Sequence, residues 1–348
     1  MTDEIFISGL IFLFSALLYW GFKVLPGEDW QILAVVPQSK NDNEQWQGMN
    51  LTYYGVFNAN AYVFGVAIAI VMLRAIAIPM TSIVIVAILL LSLCIPASKL
   101  VARIVEKKQN TFTVGGASFV GIVSAPWIIL LTNAIFGNEY QLPVAATLAT
   151  FSIAYAIGEG MGRLACISFG CCYGKALDQC SPLLQKLFHQ FNFVFYGKTR
   201  KVVYAHHLEG QKVLPIQAVT AILYIASGII GVYMFLKGMP TLALILTLTI
   251  TQLWRAISEL FRADYRGEGK LSAYQVMALV CVPYIILIMI FLPATEVVAT
   301  DINQGIRQLW NPWMIISLEL FWLMTFLYTG RSMVTNATVS LHVRGDCI

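Results

Sequence analysis

The sequence predicts an all-α, polytopic helical membrane protein with about nine transmembrane helices, and its composition is the first evidence. Of its 348 residues, 58% are apolar and only 11% are charged, and the mean hydropathy is +0.74. A soluble domain has about 25% charged residues, and a chain of this length has too little interior to hide such an apolar excess. The same composition excludes intrinsic disorder. Seven dispersed cysteines also exclude a small secreted disulfide scaffold.

The second observation is a series of long apolar segments. A membrane-spanning helix needs roughly 20 mostly apolar residues. The chain contains nine such segments, at about residues 5–24, 52–73, 76–98, 113–136, 142–165, 215–236, 239–261, 272–293 and 313–330.

The first segment has the position of a signal peptide but not its composition. It is preceded by Asp3 and Glu4 instead of basic residues, and no small-residue cleavage site follows Trp20. We therefore expect a retained membrane anchor.

Three long polar loops, residues 25–51, 166–214 and 294–312, separate the segments, and the other connections are shorter. Alternation of the spans places the first two loops and the C-terminal tail on one side of the membrane, here called face A. Face A carries 19 of the 22 Lys and Arg residues, whereas the opposite side, face B, carries Arg74, Lys237 and Arg307. The positive-inside rule predicts that face A is cytoplasmic.

Charged residues inside the spans are candidates for function, because they are costly in lipid. Glu159 and Arg163 are four residues apart, as are Arg255 and Glu259, so each pair shares one helical face. Guanidinium groups bind phosphate oxygens in a bidentate way. We expect Arg163 and Arg255 to bind an anionic lipid headgroup, although structural ion pairs are an alternative.

Two further groups of cations lie near span ends. Arg262 continues the helical face of Arg255. Lys99 and Arg103 end the third span, where long cationic side chains usually extend to the interface.

Three cysteines, Cys166, Cys171 and Cys172, lie within seven residues at the mouth of face A. They are compatible with a zinc or soft-metal site, or with a reactive thiol activated by Arg163 and Lys175. Packing in a glycine-rich turn is the favoured interpretation, because free cysteine behaves as a small hydrophobic residue. No metal and no cofactor are therefore expected.

A histidine pair, His206 and His207, lies beside Glu209 in the loop 166–214. A solvated loop is the simplest interpretation. Both remain candidates for proton transfer, since histidine titrates near neutrality.

Together these residues resemble the bacterial prolipoprotein diacylglyceryl transferase family, over about Tyr53 to Val276 and seven of the nine spans. A divergent branch of that family has a similar Gly-Cys-Cys-Tyr-Gly segment. The similar elements occur in the family's order: Tyr53-Tyr54-Gly55, Ala97-Ser98-Lys99-Leu100, Gly115-Gly116-Ala117-Ser118-Phe119-Val120-Gly121, Gly162-Arg163-Leu164, Gly170-Cys-Cys-Tyr-Gly174, Pro215-Ile216-Gln217, Arg255-Ala-Ile-Ser-Glu259-Leu-Phe-Arg262 and Leu271-Ser-Ala-Tyr-Gln275.

The resemblance implies a transferase of the bacterial inner membrane with a seven-helix transferase-like core. It would move a diacylglyceryl group from phosphatidylglycerol to the lipobox cysteine thiol of a prolipoprotein, and glycerol phosphate would leave. Arg163 and Arg255 would hold the phosphate, and Glu259 would orient Arg255. The residues implied at the lipid site are Tyr54, Lys99, Gly162, Gly174, Gln217 and Arg262.

The implied organisation has three parts. Residues 1–50 form an extra transmembrane helix and a polar loop, residues 51–293 form the core with the 166–214 loop as an arm, and residues 294–348 form a loop, an extra helix and a tail. The expected partners are phosphatidylglycerol or another anionic phospholipid, a prolipoprotein and the bilayer, with no nucleic acid.

Several family positions differ in this chain. Val120 replaces a histidine, Cys166 an asparagine, Cys171 a glutamate, and Val219-Thr220 a Tyr-Glu pair. Another group would then supply the base, with Glu159, His206 and His207 as candidates. The alternatives are a catalytically altered or inactive paralogue that binds anionic phospholipid or lipoprotein, and a thiol or metal enzyme built on the cysteine cluster.

The family resemblance and the charge distribution predict opposite orientations. In the family, the side equivalent to face A is periplasmic, where prolipoproteins emerge. We favour the family orientation slightly, because charge rules are tendencies whereas a shared core fixes relative geometry.

Overall fold

The computed structural model describes residues 2–42, 44–105, 113–137, 140–263, 271–291 and 300–348. Part of the predicted loop 294–312 lies outside these residues. All nine predicted spans are confirmed as long apolar helices. They are α1 (Asp3–Val24), α2 (Tyr53–Ala75), α3 (Met80–Val105), α4 (Val114–Phe136), α5 (Val144–Phe169), α8 (Ile216–Leu236), α9 (Pro240–Ser258, continued by a 3-10 turn Glu259–Phe261), α10 (Ala273–Phe291) and α12 (Pro312–Thr329). Three short helices lie between them: α6 (Pro182–Leu187), α7 (Lys201–His206) and α11 (Ile302–Leu309).

Helix α5 is the central helix of the bundle and packs against α2, α8 and α9. Small residues allow this close packing. A Cβ atom at Gly65 of α2 would lie 3.2 Å from the Ala154 carbonyl oxygen, and one at Gly160 of α5 would lie 2.8 Å from the Ile225 side chain of α8. In lipid, where helices associate by van der Waals packing, such small residues bring backbones together. The Gly158–Gly162 glycines therefore serve mainly helix packing.

The two outer helices bury only narrow stripes. Helix α1 buries Leu10, Phe14, Leu18 and Gly21 at helical spacing, and α12 buries Met314 alone. The rest of each surface is apolar and exposed, as expected for lipid-facing helices.

The polar segment 25–51 and the C-terminal tail contain ordered strands, where the sequence predicts only a loop and a tail. Strands β1 (Ile32–Lys40), β2 (Trp46–Thr52) and β5 (Arg331–Val339) form an antiparallel sheet in the order β1-β2-β5. The loop and the tail therefore lie on the same face, as span alternation predicts.

The arm 166–214 contains α6, α7 and a two-stranded ladder of β3 (Phe193–Val194) and β4 (Lys212–Val213). Its anchor is Arg200, which is fully buried and donates hydrogen bonds to the carbonyls of Leu25, Gly27 and Ile167. Burial lowers the pKa of Arg200 to about 10, so the guanidinium stays charged at neutral pH. The arm is thereby fixed to the ends of α1 and α5.

Candidate functional site

A small polar cleft lies between the face-A ends of α5, α8 and α9. Three arginines, Arg163 of α5, Arg255 of α9 and Arg262, line it together. The other lining residues are Cys172, Ile216, Gln217, Thr220, Tyr224, Ser258 and Glu259. Three guanidinium groups around one cleft make it strongly attractive to an anion.

Two ion pairs flank the cleft. Glu159 pairs with Arg163 one helical turn away, which their spacing of four residues allows, and both side chains are about nine-tenths buried. Glu259 lies 3.9 Å from the Nη1 atom of Arg262. Arg255 donates from Nη1 to the Tyr155 hydroxyl at 3.2 Å, so the predicted orienting role of Glu259 toward Arg255 stays a prediction.

Two buried polar atoms at the cleft have no hydrogen-bond partner among the described residues. They are Nε of Arg163 and Oε1 of Gln217. Buried polar groups are usually hydrogen-bonded, and each exception needs an explanation. A donor and an acceptor without partners, both on residues that line one cleft, indicate a site that a polar ligand completes.

An apolar cavity of about 270 Å³ opens among α3, α4, α5, α9 and α10. Its walls include Leu90, Phe151, Leu248 and Ile285. Tyr155 also lines this cavity, and its hydroxyl accepts the hydrogen bond from Arg255 of the cleft. The cationic cleft and the apolar cavity therefore meet at one hydrogen bond, an arrangement that suits a ligand with an anionic head and an apolar tail.

The position of Arg255 depends on a glycine of α4. A Cβ atom at Gly115 would lie 2.6 Å from Nη2 of Arg255 and 2.7 Å from the ring of Tyr274. Gly115 thus makes room for a guanidinium group, whereas its neighbour Gly116 allows α4 to approach the Val101 side chain of α3.

The cysteine cluster is formed by the turn that ends α5. Gly170 is left-handed at φ +67°, and the amide of Cys171 donates to the carbonyl oxygen of Cys166 at 3.0 Å. This αL cap returns the chain over the last helical turn. The three sulfur atoms of Cys166, Cys171 and Cys172 consequently lie within 4.8 Å of one another.

The cluster is buried, which limits its reactivity. Cys166 and Cys171 are buried and Cys172 is partly exposed. Hydrogen bonding to Cys166 and Cys172, together with burial, raises the pKa of the Cys171 thiol well above its usual value. A neutral thiol is a weak nucleophile, so a metal-free nucleophilic role for Cys171 is disfavoured.

A short ladder attaches this turn to the cleft. The amide of Lys175 donates to the Phe261 carbonyl at 2.9 Å, and the amide of Ala263 donates to the Tyr173 carbonyl at 3.2 Å. Gly174 is required for close approach, because a Cβ there would lie 2.6 Å from the Leu214 backbone oxygen. The ladder fixes the cysteine turn beside Arg262.

The remaining predicted site residues do not line the cleft. Tyr54 packs its ring against Phe169, Lys99 is exposed, and Gly162 faces Asn58 and Ala61 of α2.

Both candidate histidines are exposed on or beside α7, and neither is among the residues that line the cleft. Nδ1 of His206 shares a hydrogen bond with the Tyr173 hydroxyl, and His207 is in the left-handed region.

Several residues that line or support the cleft were not identified as site residues from the sequence: Tyr155, Ile216, Thr220, Tyr224, Trp254 and Ser258. Trp254 donates to the Thr220 hydroxyl at 2.9 Å, and the Tyr224 hydroxyl donates to the Thr251 carbonyl at 2.7 Å. Tyr155 lies four residues before Glu159 and eight before Arg163, so helical periodicity was the one available signal.

These features define a polytopic helical membrane protein with an arginine-lined cleft beside an apolar cavity. The model of the family "Prolipoprotein diacylglyceryl transferase" matches residues 45–292, more than half of the chain. The chain belongs to the prolipoprotein diacylglyceryl transferase family. Comparison with curated proteins and with solved structures finds no match.

Proposed function

We propose that this protein transfers the diacylglyceryl group of phosphatidylglycerol to the cysteine thiol of a prolipoprotein, in the bacterial inner membrane. Family membership supports a transferase of lipoprotein biosynthesis. The observation that carries the finer assignment is the hydrogen bond between Arg255 and Tyr155, which joins the cationic cleft to the apolar cavity.

In this proposal the phosphate of the lipid binds between Arg163 and Arg255. Their charge compensates the negative charge that grows on the departing glycerol phosphate, and preorganised donors of this kind supply a large part of catalysis. Glu159 keeps Arg163 in place through its ion pair. An acyl chain extends into the apolar cavity past Tyr155.

Glu159 remains a candidate base, but its carboxylate is engaged by Arg163. His206 and His207 are weaker candidates, because neither lines the cleft. A catalytically inactive paralogue would keep the two arginines and would bind the lipid without turnover.

The test is a transfer assay with purified protein in phosphatidylglycerol vesicles and a lipobox peptide. We expect thioether-linked peptide and released glycerol phosphate in equal amounts. Arg163→Gln and Arg255→Gln should each lower the rate by on the order of 10²–10³-fold, the usual effect of removing one stabilising donor. Arg307→Gln, an exposed face-B cation, is the matched control and should leave the rate unchanged.

Two results would overturn this assignment. Bound phosphatidylglycerol that is never converted, in protein that also fails to complement a transferase-depleted strain, would favour the inactive paralogue. Rates unaffected by both arginine substitutions would remove the cleft from the reaction.

A further inference from the structure

The acceptor thiol must lose its proton before it can attack a carbon atom, because the thiolate is the nucleophile. The carboxylates at the described cleft, Glu159 and Glu259, are each within an ion pair with an arginine. No histidine is among the residues that line it. The described site thus holds the leaving group better than it activates the attacking group.

The cysteine cluster lies where such activation is needed. Its three sulfur atoms are mutually within 4.8 Å. A tetrahedral zinc ion with Zn–S bonds of about 2.3 Å requires sulfur separations of about 3.8 Å, so movements of roughly 1 Å or less would bring the three sulfur atoms to that spacing.

The backbone of the cluster is also unusual. Cys172 adopts φ +56°, a left-handed conformation that is uncommon for residues other than glycine. Gly170, two residues earlier, is also left-handed, and the Gln217 side chain donates to the Cys171 carbonyl between them at 2.9 Å. Strained backbone that surrounding contacts maintain is concentrated at functional sites.

We propose that Cys166, Cys171 and Cys172 bind a zinc ion whose fourth position takes the acceptor thiol. This inference rests on the proposed transferase function. Catalytic zinc sites keep three protein ligands and one open position. Cys172 is the ligand that lines the cleft, whereas Cys166 and Cys171 are buried behind it, so the open position faces the cleft.

The reaction balances without an oxidant or reductant. The three cysteines and the acceptor thiol each release a proton to solvent when they bind the metal, since a coordinated thiol is deprotonated. The acceptor sulfur then forms a bond to the glyceryl carbon of the lipid. The carbon–oxygen bond to the phosphate breaks, and glycerol phosphate leaves with the electron pair beside Arg163 and Arg255.

The charges around the cluster agree with this site. Zn²⁺ with three thiolates carries one net negative charge. Arg163 lies within electrostatic range of both Cys166 and Cys172, so a cation offsets that charge.

The metal content of the full-length protein tests the site without any use of activity. Protein purified in detergent with a phosphine reductant is incubated with Zn²⁺, desalted and analysed for metal. We expect one zinc per chain, falling at least tenfold in Cys172→Ala and in the Cys166→Ala/Cys171→Ala double variant. Cys281→Ala, another buried free cysteine, is the matched control and should retain the zinc.

Cobalt substitution tests the ligands and the open position. Co²⁺ should give a sulfur-to-metal charge-transfer band and intense visible bands of a tetrahedral site. A lipobox peptide should shift the visible bands, and the same peptide with serine at the acceptor position should not. A disulfide within the cluster would overturn the proposal. So would protein that retains no zinc after the incubation although it is monodisperse and binds phosphatidylglycerol.

Failure of this inference and failure of the proposed function give different results. Transfer that persists after complete metal removal would refute a role for zinc in the reaction and would leave the proposed transferase function unaffected. Stoichiometric zinc and a peptide-dependent cobalt spectrum without transfer would establish the metal site and refute the transferase.

Discussion

At the scale of single residues, Arg255 is positioned by contacts with two neighbouring helices. It extends from α9, donates to Tyr155 of α5 and packs against Gly115 of α4. Its position therefore reports on the relative placement of the helices that form the cleft.

Gly115→Ala should lower transfer without unfolding the protein. The added methyl group would displace either the Arg255 guanidinium or the buried Tyr274 ring, and a misplacement of about 1 Å at a catalytic group can cost on the order of 10²-fold in rate. The transfer assay measures this loss. Gly9→Ala, at a glycine with open space around it, is the control, and equal rates for the two variants would contradict the account.

Arg200 has a structural role that the sequence did not reveal. Its guanidinium ties the carbonyls that follow α1 to the end of α5. Among many loop cations, nothing in the sequence distinguishes it, because its role depends on which carbonyls the fold brings near.

Arg200→Met should destabilise the protein by about 3 kcal/mol or more. It leaves buried carbonyl groups without donors, and each such group costs about 1–3 kcal/mol. Denaturant unfolding in detergent measures the change. Lys198→Met, two residues earlier and exposed, should have almost no effect, and a similar loss in both variants would refute the clamp.

At the scale of elements, the nine spans could be predicted because lipid imposes a length and composition that can be counted along the chain. Their ends differ from the prediction by a few residues; α3 reaches Val105 and α5 reaches Phe169. The extension of α5 matters most, since it places Cys166 inside the helix and Cys171 in its cap. The added residues, Cys-Ile-Ser-Phe, are mostly apolar, and the helix ends only at the left-handed Gly170 that follows them.

The β1-β2-β5 sheet was missed for a different reason. Its strands β2 and β5 pair over a long separation, from 280 positions for Leu51 and Arg331 to 293 for Trp46 and Val339, and such pairing leaves no local pattern. Single strands with mixed polarity are weak signals.

The crossing of α2 and α5 depends on facing glycines, and Gly158→Val tests it. A Cβ at Gly158 would already lie 3.3 Å from the Ala61 carbonyl oxygen, and a branched side chain would force the helices apart. We expect overpacking to cost about 1–3 kcal/mol, and a loss of transfer because Arg163 lies on the same helix. Thermal unfolding measures the loss of stability, and the transfer assay measures the loss of activity. Gly9→Val is the control for both. Full stability in Gly158→Val would contradict the close crossing of α2 and α5.

At the scale of the whole molecule, the charge asymmetry between the faces has a partial explanation. Of the face-A cations, Arg163, Arg255 and Arg262 line the cleft, and Arg200 anchors the arm. The first three are on face A because the cleft is there, and Arg200 is on face A because it fixes the arm to the helix ends. They weaken the inference from the positive-inside rule, which counts loop charges as topology signals.

We therefore expect face A to be periplasmic, which an alkaline phosphatase fusion after the C-terminal strand would test. The tail shares a sheet with the loop that follows α1, so the fusion reports on the side that bears the cleft. An active fusion agrees with this orientation. An inactive fusion, with a matching active fusion at the α8–α9 turn on face B, would reverse it.

An electron cryomicroscopy structure of the protein in phosphatidylglycerol nanodiscs would show directly whether the cleft and the cavity hold one lipid molecule. We expect a headgroup phosphate in hydrogen-bond contact with Arg163 and Arg255, and an acyl chain that passes Tyr155 into the apolar cavity. A cleft without lipid, or a phosphate bound elsewhere while the cavity stays empty, would contradict it.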